Sequence, residues 1–490
     1  MKVLSIDLGA SSGRTMVVTY ENGLLSIEEI NRFEHTILEI DNELKWDLSL
    51  ISLKVKEGIK LAFDKYDDIA SIGIDTWGCD YTYISKDRDL IRLPYSYRDR
   101  RNLKASKDVL KIYSYQDLYN LFGMQFLPFN SIYQIYDDFN NKNLSIDNSY
   151  TLLMIADYLA YLLTGSSRLE VTNASTMSLF TLPEFTLSNN VLNKLNIPSH
   201  IFPKLIKPGE IYGYLKEEYI PHGRKINIPV IAVCSHDTSS AILGTNVNKE
   251  DAYISSGTWS LVGVEEDKPI VSELMCKYNL TNELGYNNKF NILKNVMGMF
   301  LVNQIRNDWK SSGEDIKTSE ITSLVTSAKD IESYFDPDEE VFQTPFDMTN
   351  KMIKYLGDTK QAIPTSKGEW LKMIYLSMAC KYRKVIEELE YVSNKKIHSI
   401  VICGGGNQAE ILNQFTANIT GKIVKQGPKE ATVIGNALAQ FISLGVIKDD
   451  VEGREIISHS FGGNIYYPDG DKIWLERYQS FLKIINKSER

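Results

Sequence analysis

Two short segments rich in glycine and serine could bind phosphate groups. Residues 7–14 have the sequence DLGASSGR, and residues 255–258, near the middle of the chain, have the sequence SSGT. Backbone N–H groups in such turns can surround a phosphate, and the Asp7 carboxylate could hold Mg²⁺ through water. Arg14 would add a permanent positive charge. Either segment alone could be an ordinary turn, but together they predict two phosphate-binding loops.

A third segment, residues 235–238 with the sequence SHDT, follows the apolar run 228–234. Asp237 could accept the proton of a hydroxyl group while that oxygen attacks phosphorus. The alternative is that this aspartate caps the start of a helix. A Ser-His-Asp triad is not expected, because side chains adjacent in sequence point apart and no G-x-S-x-G sequence occurs. Hydrolase chemistry is therefore disfavoured.

Residues 75–78, with the sequence DTWG, end another apolar run and could bind a sugar. Trp77 would offer an apolar face to the sugar ring, and Asp75 would accept hydrogen bonds from its hydroxyl groups. The alternative is a bend whose tryptophan packs in the core, which is the commoner position of this residue type.

Residues 404–409, with the sequence GGGNQA, fit the dinucleotide-binding pattern G-x-G-x-x-A. That pattern normally opens a fold and is followed by an acid at the end of the next strand, whereas here it comes late and the acid is missing. A turn that lies against adenosine, or a plain turn between a strand and a helix, is favoured over an NAD site. No G-x-x-x-x-G-K-[ST] sequence occurs, which excludes a P-loop kinase.

Buried strands are expected to position these segments. Near-continuous β-branched runs that end in polar or glycine residues predict strands covered on both faces, and they alternate with helical patterns at 369–391 and 431–444. This mixture is typical of the α/β class. Each half of the chain opens with two apolar runs joined by one of the glycine turns, which indicates a hairpin. We therefore predict two similar α/β domains with a boundary near Gly244.

The composition of the 490 residues limits the class of protein. The net charge of −9 argues against a whole-surface attraction to nucleic acid or to anionic membranes. Five cysteines without C-x-x-C spacing make a disulfide framework and a structural zinc site unexpected and favour the cytoplasm. No apolar run is long enough to span a membrane. Asp7 lies where a signal peptide would need its apolar stretch. A monomer and a homodimer are both compatible with the sequence.

The ordered set of these motifs resembles the FGGY family of carbohydrate kinases. Further matches are Trp46-Asp47 and the segment 293–298, LKNVMG, and the similarity extends over about residues 1–445. The sequences DTWG and SSGTWS favour family members that act on L-rhamnulose over those that act on xylulose or glycerol.

The resemblance implies a fold and an activity. The expected fold is two actin-like (ribonuclease H-like) domains with an interdomain catalytic cleft. Residues 1–244 would bind sugar and phosphate, residues 245–445 would bind the nucleotide, and residues 446–490 would pack on the second domain as a tail. The expected reaction transfers the γ-phosphoryl group of ATP, with Mg²⁺, to O1 of L-rhamnulose. The alternatives are a kinase for L-fuculose or D-xylulose, and a non-catalytic sugar or nucleotide sensor.

The resemblance also assigns roles by position, with Asp237 as the catalytic base, Arg14 as a second catalytic residue and Asp7 at the metal. The expected nucleotide contacts are Ala10, Ser11, Ser12, Gly13, Arg14, Thr258, Asn303 and Gly405. The expected sugar contacts are Trp77, Gly78, His236, Asp237, Thr238 and Asn295. The family commonly has Gln where this chain has Asn303 followed by Gln304, so either could serve. Related kinases carry Asn at the position of Ala409, so one polar contact to adenosine would be missing.

Overall fold

The computed structural model describes residues 1–142, 144, 150–220 and 227–488. Its strands are β1 (Lys2–Leu8), β2 (Ser12–Glu21), β3 (Leu24–Glu34), β4 (Ile37–Ile40), β5 (Glu43–Trp46), β6 (Ile69–Thr76), β7 (Tyr81–Ser85), β8 (Tyr150–Met154), β9 (Leu169–Glu170), β10 (Phe180–Thr181), β11 (Thr186–Leu187), β12 (Leu205–Ile206), β13 (Ile211–Tyr214), β14 (Pro229–Ile231), β15 (Asp251–Ser256), β16 (Trp259–Glu266), β17 (Thr281–Leu284), β18 (Phe290–Met297), β19 (Ser399–Cys403), β20 (Ile423–Gln426) and β21 (Ile465–Tyr466).

The α-helices are α1 (Leu48–Lys65), α2 (Arg101–Ile112), α3 (Tyr115–Phe122), α4 (Ser131–Asn140), α5 (Ile155–Thr164), α6 (Val171–Ala174), α7 (Asn189–Lys194), α8 (Asp237–Leu243), α9 (Glu273–Tyr278), α10 (Phe300–Ser311), α11 (Ile321–Ser327), α12 (Met348–Asp358), α13 (Lys367–Ser393), α14 (Glu410–Thr420), α15 (Ala431–Ser443), α16 (Asp450–Ser460) and α17 (Ile473–Ser488). Short 3₁₀ turns occur at Ser175–Met177, Ser199–Ile201, Glu217–Tyr219, Tyr286–Asn288, Thr318–Glu320, Glu340–Phe342 and Gly405–Gln408. Within the described part of the chain, no helix is both long and apolar enough to cross a membrane.

The chain divides into two compact units, each made of several segments. The first unit contains Met1–Asn246, Glu265–Ile292 and Ala431–Phe461. The second contains Val247–Val264, Leu293–Glu430 and Gly462–Arg490.

The first unit is built on a sheet with the strand order β13-β14-β6-β1-β2-β3. Strands β14, β6 and β1 run parallel, whereas β1 and β2 form an antiparallel hairpin. Alternate side chains of β1 face opposite sides of this sheet. Leu4 and Ile6 belong to the core that contains α1 and α5, while Val3 belongs to the core that contains α15. The prediction that these strands are covered on both faces is confirmed.

Helices α8 and α15 pack against each other through glycines in the first unit. A Cβ atom on Gly435 would lie 1.8 Å from the carbonyl oxygen of Ser240, and one on Gly244 would lie 1.9 Å from that of Ala431. The backbones of the two helices are in direct contact at these points, and only glycine leaves room for that approach. The contact holds the second half of α8 against the first turns of α15.

In the second unit, strands β16, β15, β19, β20 and β21 lie side by side in that order. Strands β15 and β16 form an antiparallel hairpin, and β15, β19 and β20 run parallel. The predicted hairpin at the start of each half of the chain is thus confirmed. The helices predicted at 369–391 and 431–444 are also found, as α13 and α15.

Candidate active site

Three aspartates cluster at the carboxyl ends of the strands in the first unit. Asp7 and Asp75 are direct register partners near the ends of β1 and β6, and Asp237 is the first residue of α8, just beyond β14. Burial and the charge of Asp7 raise the pKa of Asp75 well above its ordinary value. Burial also raises the pKa of Asp237, and Asp7 adds to the effect while His236 opposes it. The three carboxylates therefore repel one another, and a cation or a proton among them would be stabilised.

Helix α15 holds one of these aspartates in place. Asn436 donates a hydrogen bond of 2.6 Å from Nδ2 to Asp75 Oδ2, and its Oδ1 accepts from Gln440 Nε2 at 2.7 Å. Gln440 in turn accepts from Ser71 Oγ at 2.7 Å. The sequence interpretation assigned Asp75 to a sugar rather than to a carboxylate cluster, and it did not assign Asn436 or Gln440 to the site. Two amides four residues apart in an otherwise apolar helix were the available signal.

Arg14 lies across the β1–β2 hairpin from Asp7, as its register partner. Its Nε and Nη2 atoms lie 2.8 Å and 2.6 Å from Asp7 Oδ2. The Asp7 side chain is 4% exposed and that of Arg14 is 24% exposed. The aspartate thus anchors the guanidinium group from the protein side, and part of the arginine remains accessible to an anion.

The glycine turn between β1 and β2 is stabilised from within and from the side. Gly9 N donates to Ser12 O at 3.0 Å, and His35 Nε2 lies 2.8 Å from Gly9 O. A Cβ atom on Gly13 would lie 2.4 Å from both Leu8 and Phe33 side chains, so close packing requires this glycine. Ser11, at the tip, is exposed. The turn is a fixed structure whose tip faces solvent.

His236 lies between two carboxylates of the first unit. Its Nδ1 is 3.3 Å from Glu283 Oε2, and its Nε2 is 3.5 Å from Asp237 Oδ1. Burial alone would lower the pKa of His236, but the nearby Glu283 carboxylate raises it above its ordinary value. A Cβ atom on Gly78 would lie 3.2 Å from His236 Nε2, so Gly78 and His236 are neighbours, as the sugar-binding prediction requires. Sequence reasoning missed Glu283, which comes from a distant strand.

Trp77 is packed inside the first unit. It is 5% exposed, its ring centroid lies 4.4 Å from that of Trp46, and His35 stacks on it at 5.6 Å. Its indole N–H donates to Asp80 Oδ2 at 3.0 Å. Burial raises the pKa of Asp80 to about 6, although Trp46 and other donors lower it. The packing matches the alternative of a core tryptophan, with little surface left to contact a sugar.

Three loops meet in the second unit, around the β15–β16 turn. Met299 N donates to Gly257 O at 2.9 Å, and Gly298 N donates to Thr258 O at 3.2 Å. On the other side, a Cβ atom on Gly404 would lie 2.8 Å from Ser256 O. The space next to Gly405 is open within 4 Å. The predicted phosphate turn and the predicted adenosine turn are thus neighbours.

The remaining predicted residues are also placed. Asn295 lies in β18, and Asn303 is an exposed residue of α10. Gln304 Oε1 accepts a hydrogen bond of 3.0 Å from Phe346 N. This bond ties Gln304 to the protein and leaves Asn303 as the more accessible of the two amides.

The donor set of the first unit fits a hard divalent cation. Asp7 and Asp75 supply carboxylate oxygens, and Asp75 Oδ1 is buried without a hydrogen-bond partner. Among the residues described, no group of three or more His, Cys, Asp or Glu side chains is arranged to hold a metal by itself. A cation that keeps several waters and is bound through one or two carboxylates and a substrate phosphate needs no such group.

Two sequence models of one family match nearly the whole chain. The N-terminal domain of the FGGY family of carbohydrate kinases matches residues 2–244, and its C-terminal domain matches residues 252–444. The chain is 36% identical to the rhamnulokinase of Bacteroides thetaiotaomicron over 98% of this chain and 99% of that protein. It is 34% identical to the rhamnulokinase of Bacillus subtilis over 99% of each.

Solved structures confirm the predicted fold of two actin-like domains. The xylulose kinase of Lactobacillus acidophilus superposes with a TM-score of 0.82 at 16% identity, over 99% of this chain and 98% of that one. The glycerol kinase of Plasmodium falciparum superposes with a TM-score of 0.81 at 18% identity, over the same shares.

The agreement covers both halves of the chain and includes relatives above 30% identity over their full length. Sugar kinases of this kind use ATP together with a divalent metal ion, and their ligands are a small sugar and the nucleotide. The chain belongs to the FGGY family of carbohydrate kinases.

Proposed function

We propose that the protein transfers the γ-phosphoryl group of ATP to O1 of L-rhamnulose, giving L-rhamnulose 1-phosphate in L-rhamnose catabolism. The observation that carries this proposal is the full-length similarity to several proteins named rhamnulokinase, at 34–36% identity in the first three. The retained Asp7, Arg14 and Asp237 support catalysis over a sensor role. We also propose a cytoplasmic location, since all five cysteines are free thiols buried in the protein.

Asp237 accepts the proton of the 1-hydroxyl group as that oxygen attacks the γ-phosphorus. Its side chain is 31% exposed, whereas those of Asp7 and Asp75 are almost completely buried, so Asp237 is the aspartate of the cluster that can touch a sugar. Its raised pKa brings it closer to neutral pH. This shift makes the carboxylate a better proton acceptor than an unperturbed aspartate.

Each of the two glycine turns carries donors suited to the phosphates of ATP. The turn 10–13 and Thr258 supply backbone and hydroxyl donors, and Arg14 supplies a charge that Asp7 holds in place. Asp7 and Asp75 would hold Mg²⁺, and the ion would supply positive charge that offsets the negative charge of the phosphates. Adenosine lies against Gly405, where the surroundings are open, and Asn303 supplies the amide contact.

We assign the sugar contacts to Gly78, His236 and Thr238 in the first unit and to Asn295 in the second, and Trp77 packs in the core next to Gly78. Glu283 raises the pKa of His236, which favours the protonated ring that can donate to a sugar hydroxyl group. We assign sugar and phosphate binding to residues 1–244 and nucleotide binding to residues 245–445, in a monomer or a homodimer.

Substrate choice is tested by a coupled ADP-release assay with L-rhamnulose, L-fuculose and D-xylulose. We expect the highest kcat/KM with L-rhamnulose. D-Xylulose lacks one carbon, a difference worth about 10–200-fold in a matched pocket. A higher kcat/KM with L-fuculose or D-xylulose would assign the enzyme to that ketose. If the protein binds sugar or ATP but phosphorylates none of the three ketoses, it is a non-catalytic sensor.

A further inference from the structure

Glu170 is a fully buried carboxylate that the catalytic scheme above does not use. It ends strand β9 and precedes helix α6, and its relative exposure is 0%. A buried carboxylate is costly unless it is paired or well supplied with hydrogen bonds. Its partners therefore indicate what this residue does.

The Glu170 side chain accepts hydrogen bonds from two segments of the first unit. From the following residues, Oε1 accepts from Thr172 N at 2.9 Å, and Oε2 accepts from Thr172 Oγ1 at 2.6 Å and from Asn173 N at 3.1 Å. From the segment after β14, Oε2 accepts from Ser235 N at 3.0 Å and from Ser235 Oγ at 2.6 Å. The carboxylate thus joins the start of α6 to the residue two positions before Asp237.

The neighbours of Glu170 complete the hold on this segment. Ser235 O accepts from Thr76 N at 2.8 Å and from Asn173 Nδ2 at 3.3 Å. His236 N donates to Thr172 Oγ1 at 3.3 Å. The backbone N–H of Ser235 therefore donates to Glu170 itself. The backbone N–H of His236 donates to Thr172, whose hydroxyl group donates to Glu170. Helix α8 starts with the next residue, Asp237.

We propose that Glu170 is a positioning residue that sets the direction of the Asp237 carboxylate by fixing Ser235 and His236. The inference rests on the proposed role of Asp237 as the base. A proton acceptor must lie within hydrogen-bond reach of the hydroxyl group it serves. A misplacement of about 1 Å can cost on the order of 10² in rate.

A carboxylate suits this position better than an amide. All five groups that face Glu170 are donors, and only an ionised carboxylate accepts at both oxygens. Burial raises the pKa of Glu170 above its ordinary value, and the bonds from Ser235 and Thr172 offset only part of that rise. In Glu170→Gln, one end of the side chain becomes an NH₂ group that must face a donor. The shape is kept, but at least one of the five bonds is lost.

The test is a double-mutant cycle between Glu170→Gln and Asp237→Asn. In the otherwise unchanged enzyme, we expect Glu170→Gln to lower kcat by about 10- to 100-fold while the KM for ATP stays within about twofold. In the Asp237→Asn background, the same change is expected to lower the residual kcat by less than about twofold. A residue that acts through another loses its effect when that other residue is removed.

Tyr212→Phe is the matched control. Tyr212 donates to Asp157 Oδ1 at 2.6 Å, and Asp157 also accepts from Glu170 N, so this bond holds the backbone of Glu170 rather than its carboxylate. This variant loses a buried hydrogen bond next to Glu170 and should lower Tm without changing kcat. If Glu170→Gln does not fold, Thr172→Val takes its place, since it removes the hydroxyl group that joins Glu170 to His236 N.

The outcomes separate the two proposals. If Asp237→Asn is impaired and Glu170→Gln lowers kcat equally in both backgrounds, the positioning role of Glu170 is wrong while the base stands. A Glu170→Gln enzyme with normal kcat would also overturn the positioning role of Glu170. If Asp237→Asn is fully active, the role of Asp237 itself is wrong.

Discussion

The Asp237→Asn enzyme is expected to turn over its ketose about 10²–10⁴-fold more slowly than the unchanged protein, which is the usual contribution of a general base. ATP affinity should persist, because the proposed phosphate contacts, the glycine turn 10–13 and Thr258, do not include Asp237. The measurements are kcat, the Kd for the nucleotide and Tm on this one isosteric variant. A fully active and stable Asp237→Asn enzyme would contradict the assignment.

The alternative reading of Asp237 as a helix cap makes a different prediction. The structure places His236 at the N-cap of α8 and Asp237 at the first helical position. A carboxylate there favours the helix by at most about 1 kcal/mol, so a purely structural role predicts normal turnover. Asp449→Asn is a suitable control, because Asp449 does cap α16 through bonds to Val451 N and Glu452 N. Asparagine caps as well as aspartate, and kcat should not change.

Arg14→Ala is expected to have the second large effect, a loss in kcat on the order of 10²–10³-fold. Removing one donor that stabilises transition-state charge costs about 2.7–4 kcal/mol. Tm should fall modestly as well, because Asp7 loses the partner of its buried carboxylate. Arg14→Lys keeps the charge without the planar fork and should give an intermediate kcat.

Arg32→Ala separates this role from a general loss of charge. Arg32 is the register partner of Arg14 on β3, is half-exposed and pairs with Glu29. Its removal should leave kcat and Tm nearly unchanged, since exposed ion pairs contribute little. If Arg14→Ala retains normal kcat while Tm collapses, Arg14 is a structural residue.

Local sequence patterns predicted the parts of the site that lie next to their own strands. Asp7, Arg14 and Asp237 follow apolar runs or sit in a glycine turn, so short segments reveal them. The turns near Thr258 and Gly405 lie side by side in the structure because they follow β15 and β19, parallel strands that end at one edge of the sheet.

Residues from distant segments could not be predicted in this way. Asn436 reaches Asp75 from a helix more than 350 positions later, Glu283 reaches His236 from another strand, and Glu170 reaches Ser235 across 65 positions. Their roles depend on strand register and helix packing, which no local pattern contains. Trp77 is different, because the sequence does pick out this residue. A tryptophan that binds sugar and a tryptophan that packs in the core have the same local sequence.

Direct identification of the product tests the central claim. The protein is incubated with ATP, Mg²⁺ and L-rhamnulose, and the products are followed by ³¹P and proton NMR spectroscopy. We predict one ADP for each new phosphate monoester, with the phosphorus coupled to the two protons on C1 of the ketose. Coupling of the phosphorus to protons on any carbon other than C1 would contradict the account. So would the absence of a phosphate ester of L-rhamnulose while another sugar is phosphorylated.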